Sequence, residues 1–130
     1  MTDQVRIIIR AVEKVAEDVI KKLTLDVVAN LRRAASEGGT PVDTGWARAN
    51  WIANVATPTT TPVGSSDAVG AAEAAQQQAL ASVLTYRLNA GPVFISNNVP
   101  YILRLNEGSS QQAPAGFVQL AIQEAVLSLR

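Results

Sequence analysis

The 130-residue chain contains no cysteine and no histidine. Without cysteine there are no disulfides, no thiolate nucleophiles and no cysteine-ligated metal sites. Without histidine there is no Ser-His or Cys-His catalysis, no imidazole-bound zinc and no usual general base near neutral pH. An enzyme of this composition must therefore work with carboxylates, lysine, hydroxyl groups or tyrosine.

Net charge and long apolar runs are also missing. Eleven basic residues balance eleven acidic ones, so no global attraction draws the chain to nucleic acid or to an anionic membrane. No apolar run approaches the roughly 20 residues that span a bilayer. The start "MTDQVR" has an acid at position 3 and lacks the apolar segment of a signal peptide. We expect one domain over residues 1–130, located first in a cytoplasm and without a membrane partner.

Seven of the eleven basic and six of the eleven acidic residues lie in residues 1–37. Apolar residues recur there at three- and four-residue steps, which predicts a helix from about residue 4 to 37. Ion pairs are expected at 17–21 and 18–22, and Gly38-Gly39 is the expected end. Unbroken, such a helix is roughly 50 Å long in a domain about 36 Å across. Either Thr24 caps a second helix at a bend, or one end packs on a neighbouring subunit.

The rest of the chain predicts shorter elements. "WIANVAT" has strand character, residues 57–66 form a loop, and residues 66–84 form an Ala- and Gln-rich helix capped by Ser66 or Asp67. "GPVFISNN" predicts a short strand, "VPYILRLNEG" a short helix that starts at Pro100 and stops at Gly108, and Pro114 leads into a final helix. The fold class is α+β: a long N-terminal helix, a small β-sheet, an Ala-rich middle helix, a short helix and a C-terminal helix. Two alternative buried faces of the last helix stay open: Phe117, Leu120, Ala121 and Leu127, or Val118, Ile122, Ala125 and Leu129.

Residues 43–45 spell Asp-Thr-Gly, the half-site of an aspartic protease. A homodimer using Asp43 from each copy is chemically sound, because two carboxylates can share a proton and activate water. However, "EGGTP" rather than an apolar strand precedes the triplet, and bulky Trp46 follows it. We favour a structural turn in which Asp43 accepts backbone N–H groups of Gly45 or Trp46. Arg48 is then expected near Asp43, with Trp46 and Trp51 as anchors in the core or at an interface.

Two further groups of residues are candidates for a catalytic or metal-binding site. Ser109 and Ser110 follow Glu107 closely, but no histidine or adjacent lysine activates a hydroxyl there. Asp43, Asp67 and Glu107 supply carboxylates for a divalent metal, but their spacing carries no metal-site signal. We therefore predict a protein that is not an enzyme, with no catalytic, cofactor-binding or metal site.

Two longer motifs carry a resemblance to a known family. The first motif is "TPVDTGWARANW", residues 40–51, and the second motif is "ISNNVPYILRLNEGSSQQAPAGFV", residues 95–118. In this order, with flanking helices, they resemble the tail-completion or neck (head–tail joining) proteins of bacteriophages with long non-contractile tails. Trp46 departs from the small or basic residue expected after the glycine. The resemblance does not extend to residues 57–90, where this family varies.

The resemblance implies a structural virion protein at the head-proximal end of the tail, present in the host cytoplasm during assembly. Its partners would be other copies of itself in a ring, usually of six, together with the tail tube protein and the neck or connector proteins. DNA would pass through the lumen without specific binding. A small host-directed interaction module is the remaining alternative. The implied structural and interface positions are Asp43, Thr44, Gly45, Trp46, Arg48, Trp51, Asn97, Asn98, Pro100, Tyr101, Glu107, Gly108, Pro114 and Gly116.

Overall fold

The computed structural model describes residues 2–42, 45–108 and 115–129. Within these ranges the chain forms five α-helices, two short 3₁₀ turns and a two-stranded antiparallel sheet. This arrangement confirms the predicted α+β class and the order of its main elements. The elements are α1 (Asp3–Arg32), a 3₁₀ turn (Ala35–Glu37), α2 (Trp46–Ala49), β1 (Ile52–Val55), α3 (Val69–Val83), a second 3₁₀ turn (Leu88–Ala90), β2 (Val93–Ser96), α4 (Ile102–Asn106) and α5 (Phe117–Leu127).

The long helix α1 is unbroken, so the predicted bend is wrong. Thr24 does not cap a second helix, because its hydroxyl donates to the Ile20 carbonyl one turn earlier, at 2.8 Å. The helix begins instead at the Thr2 cap, whose hydroxyl oxygen accepts the Val5 N–H. At 1.5 Å per residue the 30 residues extend over roughly 45 Å.

α1 ends at Arg32, earlier than the predicted stop at Gly38-Gly39. Arg33 is already extended, and the chain turns back so that the Thr40 backbone N–H donates to the Leu31 carbonyl at 2.9 Å. Gly38, with φ +97°, ends the following 3₁₀ turn rather than the helix. The glycine pair thus follows the 3₁₀ turn and does not mark the end of α1.

The predicted ion pairs on α1 are wrong in their partners. Asp18 pairs with Lys14 at 3.2 Å, and Lys22 pairs with Asp26 one turn further on. Glu17 points toward the body of the protein and contacts Arg10 and Arg87. Both observed i,i+4 pairs have the base before the acid, the less favourable order on an isolated helix.

The strands β1 and β2 pair in the register Ile52 with Ser96 through Val55 with Val93. The helix α3 packs against β1 and begins at Val69, three residues later than predicted. Neither Ser66 nor Asp67 caps it; the N-terminal boundary residue is Ala68, which makes no side-chain cap bond.

The core lies where α1, the first motif, α4 and α5 meet. On α5 the buried residues are Phe117, Ala121 and Ala125, which combine members of both predicted faces. Leu120 and Ile122 remain substantially exposed. α5 lies along the second half of α1, since the Asn30 amide donates to the Ala121 carbonyl at 3.0 Å. The central cluster contains Val27, Leu31, Ala47, Trp51, Val99, Ile102, Phe117, Ala121 and Ala125.

The ends of α4 and the start of α5 follow the glycine signals. Gly108, with φ +98°, directly follows Glu107, the C-cap residue of α4, as predicted. Pro100 lies two residues before Ile102 rather than at the first helical position. Gly116, with φ +87°, opens α5. Pro114 lies outside the described residues.

The first half of α1 extends beyond the body. None of its residues from 3 to 16 is buried, whereas Glu17 and four later residues are. We call residues 3–16 the overhang. None of the helices described, α1 included, is apolar over a stretch long enough to cross a bilayer.

Leu31→Ala is expected to destabilise the fold by about 3 kcal/mol, because Leu31 is 1% exposed and its removal leaves a cavity in the central cluster. Urea unfolding followed by circular dichroism measures this free energy. Leu103→Ala is the matched control: Leu103 is 73% exposed, so its loss should change the unfolding free energy by less than about 0.5 kcal/mol. Equal losses in the two variants would contradict this placement of the core.

Candidate functional site

The first motif folds into a tight turn followed by the one-turn helix α2. Gly45 precedes α2 with φ +88°, a conformation that favours glycine, and its carbonyl accepts the Ala49 N–H at 3.0 Å. Asp43 and Thr44 lie outside the described residues. The predicted cap by Asp43, its proximity to Arg48 and its catalytic alternative therefore stay predictions.

Trp51 ties the end of this motif to the end of α1. Its ring is 7% exposed, and its indole N–H donates to the Thr40 hydroxyl at 2.9 Å. The same hydroxyl donates to the Leu31 carbonyl at 2.7 Å. Thr40, the first residue of the motif, thus provides the hydrogen-bond acceptor for the buried indole N–H of Trp51. Trp51 is therefore an anchor in the core, one of the two predicted possibilities.

Trp46 anchors the other end of α2 to the loop of residues 57–66. Its indole N–H donates to the Val63 carbonyl at 2.7 Å. Asn50 reinforces this contact, because its amide oxygen accepts the Val63 N–H at 2.8 Å and its amide nitrogen donates to the Trp46 carbonyl at 3.0 Å. The loop therefore has a fixed attachment, although its sequence has neither charge nor strand character.

The structure brings the first and second motifs together. The Asn97 amide donates to the Ala47 carbonyl at 2.8 Å, and its oxygen accepts the Val99 N–H at 3.1 Å. The rings of Trp46 and Tyr101 meet edge to face, with centroids 6.2 Å apart. Two segments about 50 residues apart thus form one contiguous unit, which we call the motif junction.

The remaining residues predicted for the second motif surround this junction. Asn98 reaches the loop of residues 57–66, donating to the Thr59 carbonyl at 3.0 Å. Pro100 and Glu107 are exposed, and Gly108 lies against Ala115, so that an added Cβ would approach the Ala115 side chain to 3.2 Å. Gly116 donates its N–H to the Asn106 carbonyl at 2.7 Å.

Four buried or half-buried polar residues were not predicted. Gln76 on α3 is fully buried and donates its amide to the carbonyls of Arg48 and Trp51 at 3.2 and 3.1 Å. Asn106 accepts the Val118 N–H at 3.0 Å and so joins α4 to α5. Thr40 and Asn50 complete the set. A signal existed for Gln76, since it falls one turn after buried Ala72 on the same face of α3.

The most buried of the described charged side chains is that of Glu17 on α1. This carboxylate is 3% exposed and accepts from Arg10 at 3.1 Å and from the Leu88 N–H at 2.7 Å. The Arg10 hydrogen bond, followed by that of Leu88, holds the pKa of Glu17 below its ordinary value despite burial. In the same way the Arg33 guanidinium lowers the pKa of Glu124 on α5.

At the junction, the described side-chain hydrogen bonds run mainly to backbone groups. Its carboxamides, indoles and hydroxyls bind carbonyl and N–H groups of neighbouring segments. Within residues 2–42, 45–108 and 115–129, no three His, Cys, Asp or Glu side chains are grouped to hold a metal ion. Of the three carboxylates considered for a metal, Asp67 and Glu107 are exposed and Asp43 is outside these ranges.

Comparisons of the chain with known protein families, with curated proteins and with solved structures found no match.

Thr40→Val is expected to cost about 2 kcal/mol of unfolding free energy, because the buried Trp51 indole N–H loses its acceptor while the side-chain volume stays the same. Trp51→Phe removes the donor. In the double variant the donor and its acceptor are both gone, so the two single costs should sum to more than the double cost. Urea unfolding of the four proteins measures this coupling. Strictly additive costs would show that the hydrogen bond contributes nothing.

Glu17→Gln is expected to lower stability at neutral pH, because the amide cannot hold Arg10, Arg87 and the Leu88 N–H as the carboxylate does. A lowered folded-state pKa means that the carboxylate stabilises the fold above its ordinary pKa of 4.5. This contribution is lost as pH falls through the lower folded-state value. Urea unfolding at several pH values from neutral to acid should therefore show the two proteins converging. Glu37→Gln, at an exposed position, should show no such pH-dependent difference.

Proposed function

We propose that this chain is a structural virion protein of a bacteriophage with a long non-contractile tail. It would form or complete a ring, most simply a hexamer, at the head-proximal end of the tail and join the tail to the head connector. The motif junction carries the proposal. The two segments that resemble tail-completion proteins pack on each other through Asn97, Ala47, Trp46 and Tyr101, so they behave as one structural unit.

The chemistry of the junction supports a structural role. Asn and Gln carboxamides neither donate protons as acids nor accept them as bases in the neutral pH range, but they fix backbone segments in place. Asn97, Asn50 and Gln76 all bind backbone groups of other segments. Such a unit holds a surface in shape for a partner, and it is costly to rearrange because its polar atoms are buried.

The shape of α1 supports assembly into a ring. The overhang is part of an unbroken helix, so it cannot fold back onto its own body. Of the two predictions for this helix, a bend or an end that packs on a neighbour, the second is compatible with this shape. A ring needs a heterologous contact, in which two different surfaces of each copy meet.

The partners proposed are further copies of this chain, the tail tube protein and the neck or connector proteins. DNA would move through the lumen without specific recognition. The balance of eleven basic and eleven acidic residues suits a passage to which DNA should not adhere.

The proposal predicts that the chain is part of intact virions and that its removal leaves heads and tails unjoined. Mass spectrometry of purified particles and negative-stain microscopy of lysates from a phage lacking the gene measure this. Particle reconstruction should place the chain in a symmetric ring between tail tube and connector. Its absence from intact virions would rule the proposal out.

The Asp43→Asn variant separates this proposal from the homodimeric protease alternative. The structural proposal expects no peptidase activity in the unsubstituted protein, and hence none to lose. A peptidase activity that disappears in Asp43→Asn would favour the protease. A monomer that binds a host protein and is missing from particles would favour the host-directed module.

A further inference from the structure

An apolar stripe follows the overhang of α1 and continues to Val19, and all of its members are substantially exposed. Its members follow one another at alternating steps of three and four residues, the a/d spacing of a helix that packs along another surface. They extend over roughly 21 Å of the helix, and their exposed fractions run from 39% to 64%. The stripe consists of Val5, Ile8, Val12, Val15 and Val19.

The exposed apolar area of the stripe is comparable to that of a functional surface patch. The stripe offers on the order of 400 Å² of contiguous apolar area, in the range of the largest patch on a typical monomer, and such patches often mark an interaction site. Its members are all β-branched, and the charged residues between Val5 and Val19 fall outside the three- and four-residue spacing of the stripe. Because α1 is unbroken, the stripe cannot fold back onto its own body, and only its last two members, Val15 and Val19, lie beside the body, at Leu129.

An apolar groove lies on the body, where α1, β2 and α5 meet. It has a volume of about 320 Å³, and none of the described side chains that line it is charged. Two of its walls are helices, so it offers the seat into which a third helix packs with its apolar face. The walls include Ile20, Leu23, Val93, Ile95, Ile122 and Val126.

We propose that the stripe of one copy docks in the groove of a second copy. This inference rests on the proposed ring and specifies its contact. Stripe and groove are different surfaces of the same chain, both uncharged, and the overhang projects one of them away from the body that carries the other. Each copy thus gives one helix and receives one, the head-to-tail arrangement that a closed ring needs.

The size of the stripe determines how such a ring would behave. On the order of 400 Å² per partner is about half of the roughly 800 Å² that a stable two-protein interface buries on each side. A single contact would be weak, and a ring gains its stability when the last contact closes. We therefore expect a monomer at low concentration that assembles at high concentration or on a tail end.

Cysteine cross-linking tests the contact directly, since the chain has no native cysteine. Ile8→Cys, Val12→Cys and Val15→Cys are each mixed at high concentration with Val126→Cys, and a short bis-maleimide is added. Cross-linked dimers should form in at least one mixture and not in the separate proteins. Stripe variants that link to themselves would show a two-fold stripe-to-stripe contact instead. No cross-link in any mixture would also overturn the docking.

A charge on the stripe tests its role in assembly. Ile8→Asp and Val12→Asp should abolish concentration-dependent oligomers in sedimentation and light scattering. The fold should be retained, because these positions are 62% and 64% exposed. Ile7→Asp is the matched control: Ile7 is 67% exposed on the same helix but lies outside the stripe, and this variant should assemble normally.

The same variants distinguish failure of the docking from failure of the proposed function. If particles still carry a symmetric ring with Ile8→Asp and Val12→Asp, the docking is wrong while the virion role stands. If the unsubstituted protein is missing from particles yet assembles through the stripe, the virion role is wrong and the contact stands. Equal loss of assembly in Ile7→Asp would show a general effect of charge on α1, against the docking.

Discussion

The hydroxyl of Thr40 is the point at which three parts of this protein are fastened together. It donates to the Leu31 carbonyl at the end of α1 and accepts the indole N–H of Trp51, just before β1. Thr40 is fully buried, so water cannot replace either partner. These two hydrogen bonds hold the sheet in place relative to α1. They also hold the first motif, which lies between the two elements.

Neutral amides extend the same principle through the rest of the junction. Gln76 joins α3 to the carbonyls around α2, Asn97 joins β2 to α2, and Asn106 joins α4 to α5. Each binds backbone groups of another segment, and none brings a charge that burial would penalise. The described ion pairs lie along α1 and at its end, as in the contacts of Glu17 with Arg87 and of Arg33 with Glu124.

Sequence patterns predicted the elements well where the signal was local. The strands, Gly108 and the type and order of the helices follow from alternation, periodicity and turn residues. The end of α1 was missed because a contact nine residues away in the chain, Thr40 to Leu31, decided it rather than the glycines. The buried face of α5 was missed for a similar reason. Ala121 and Ala125 are buried because α1 packs close to α5 at these small side chains. The larger Leu120 remains exposed to solvent. That the first and second motifs touch could not be read from the sequence, because the contacts join residues about 50 positions apart.

Glu17 is the first buried residue of α1, at the point where the helix leaves the body. Its carboxylate therefore influences how the overhang is oriented. The Leu88 N–H, which donates to this carboxylate, ties α1 to the body at the base of an arm about 21 Å long, whereas the bond from Arg10 stays within α1. Tilting that arm by about 10° would displace its tip by about 4 Å, which is less than the pitch of one helical turn, about 5.4 Å. The angle between neighbouring copies would shift accordingly, and a shifted angle separates a closed circle from an open spiral. In the proposed ring, this one carboxylate at the base of the arm would therefore influence the angle between neighbouring copies.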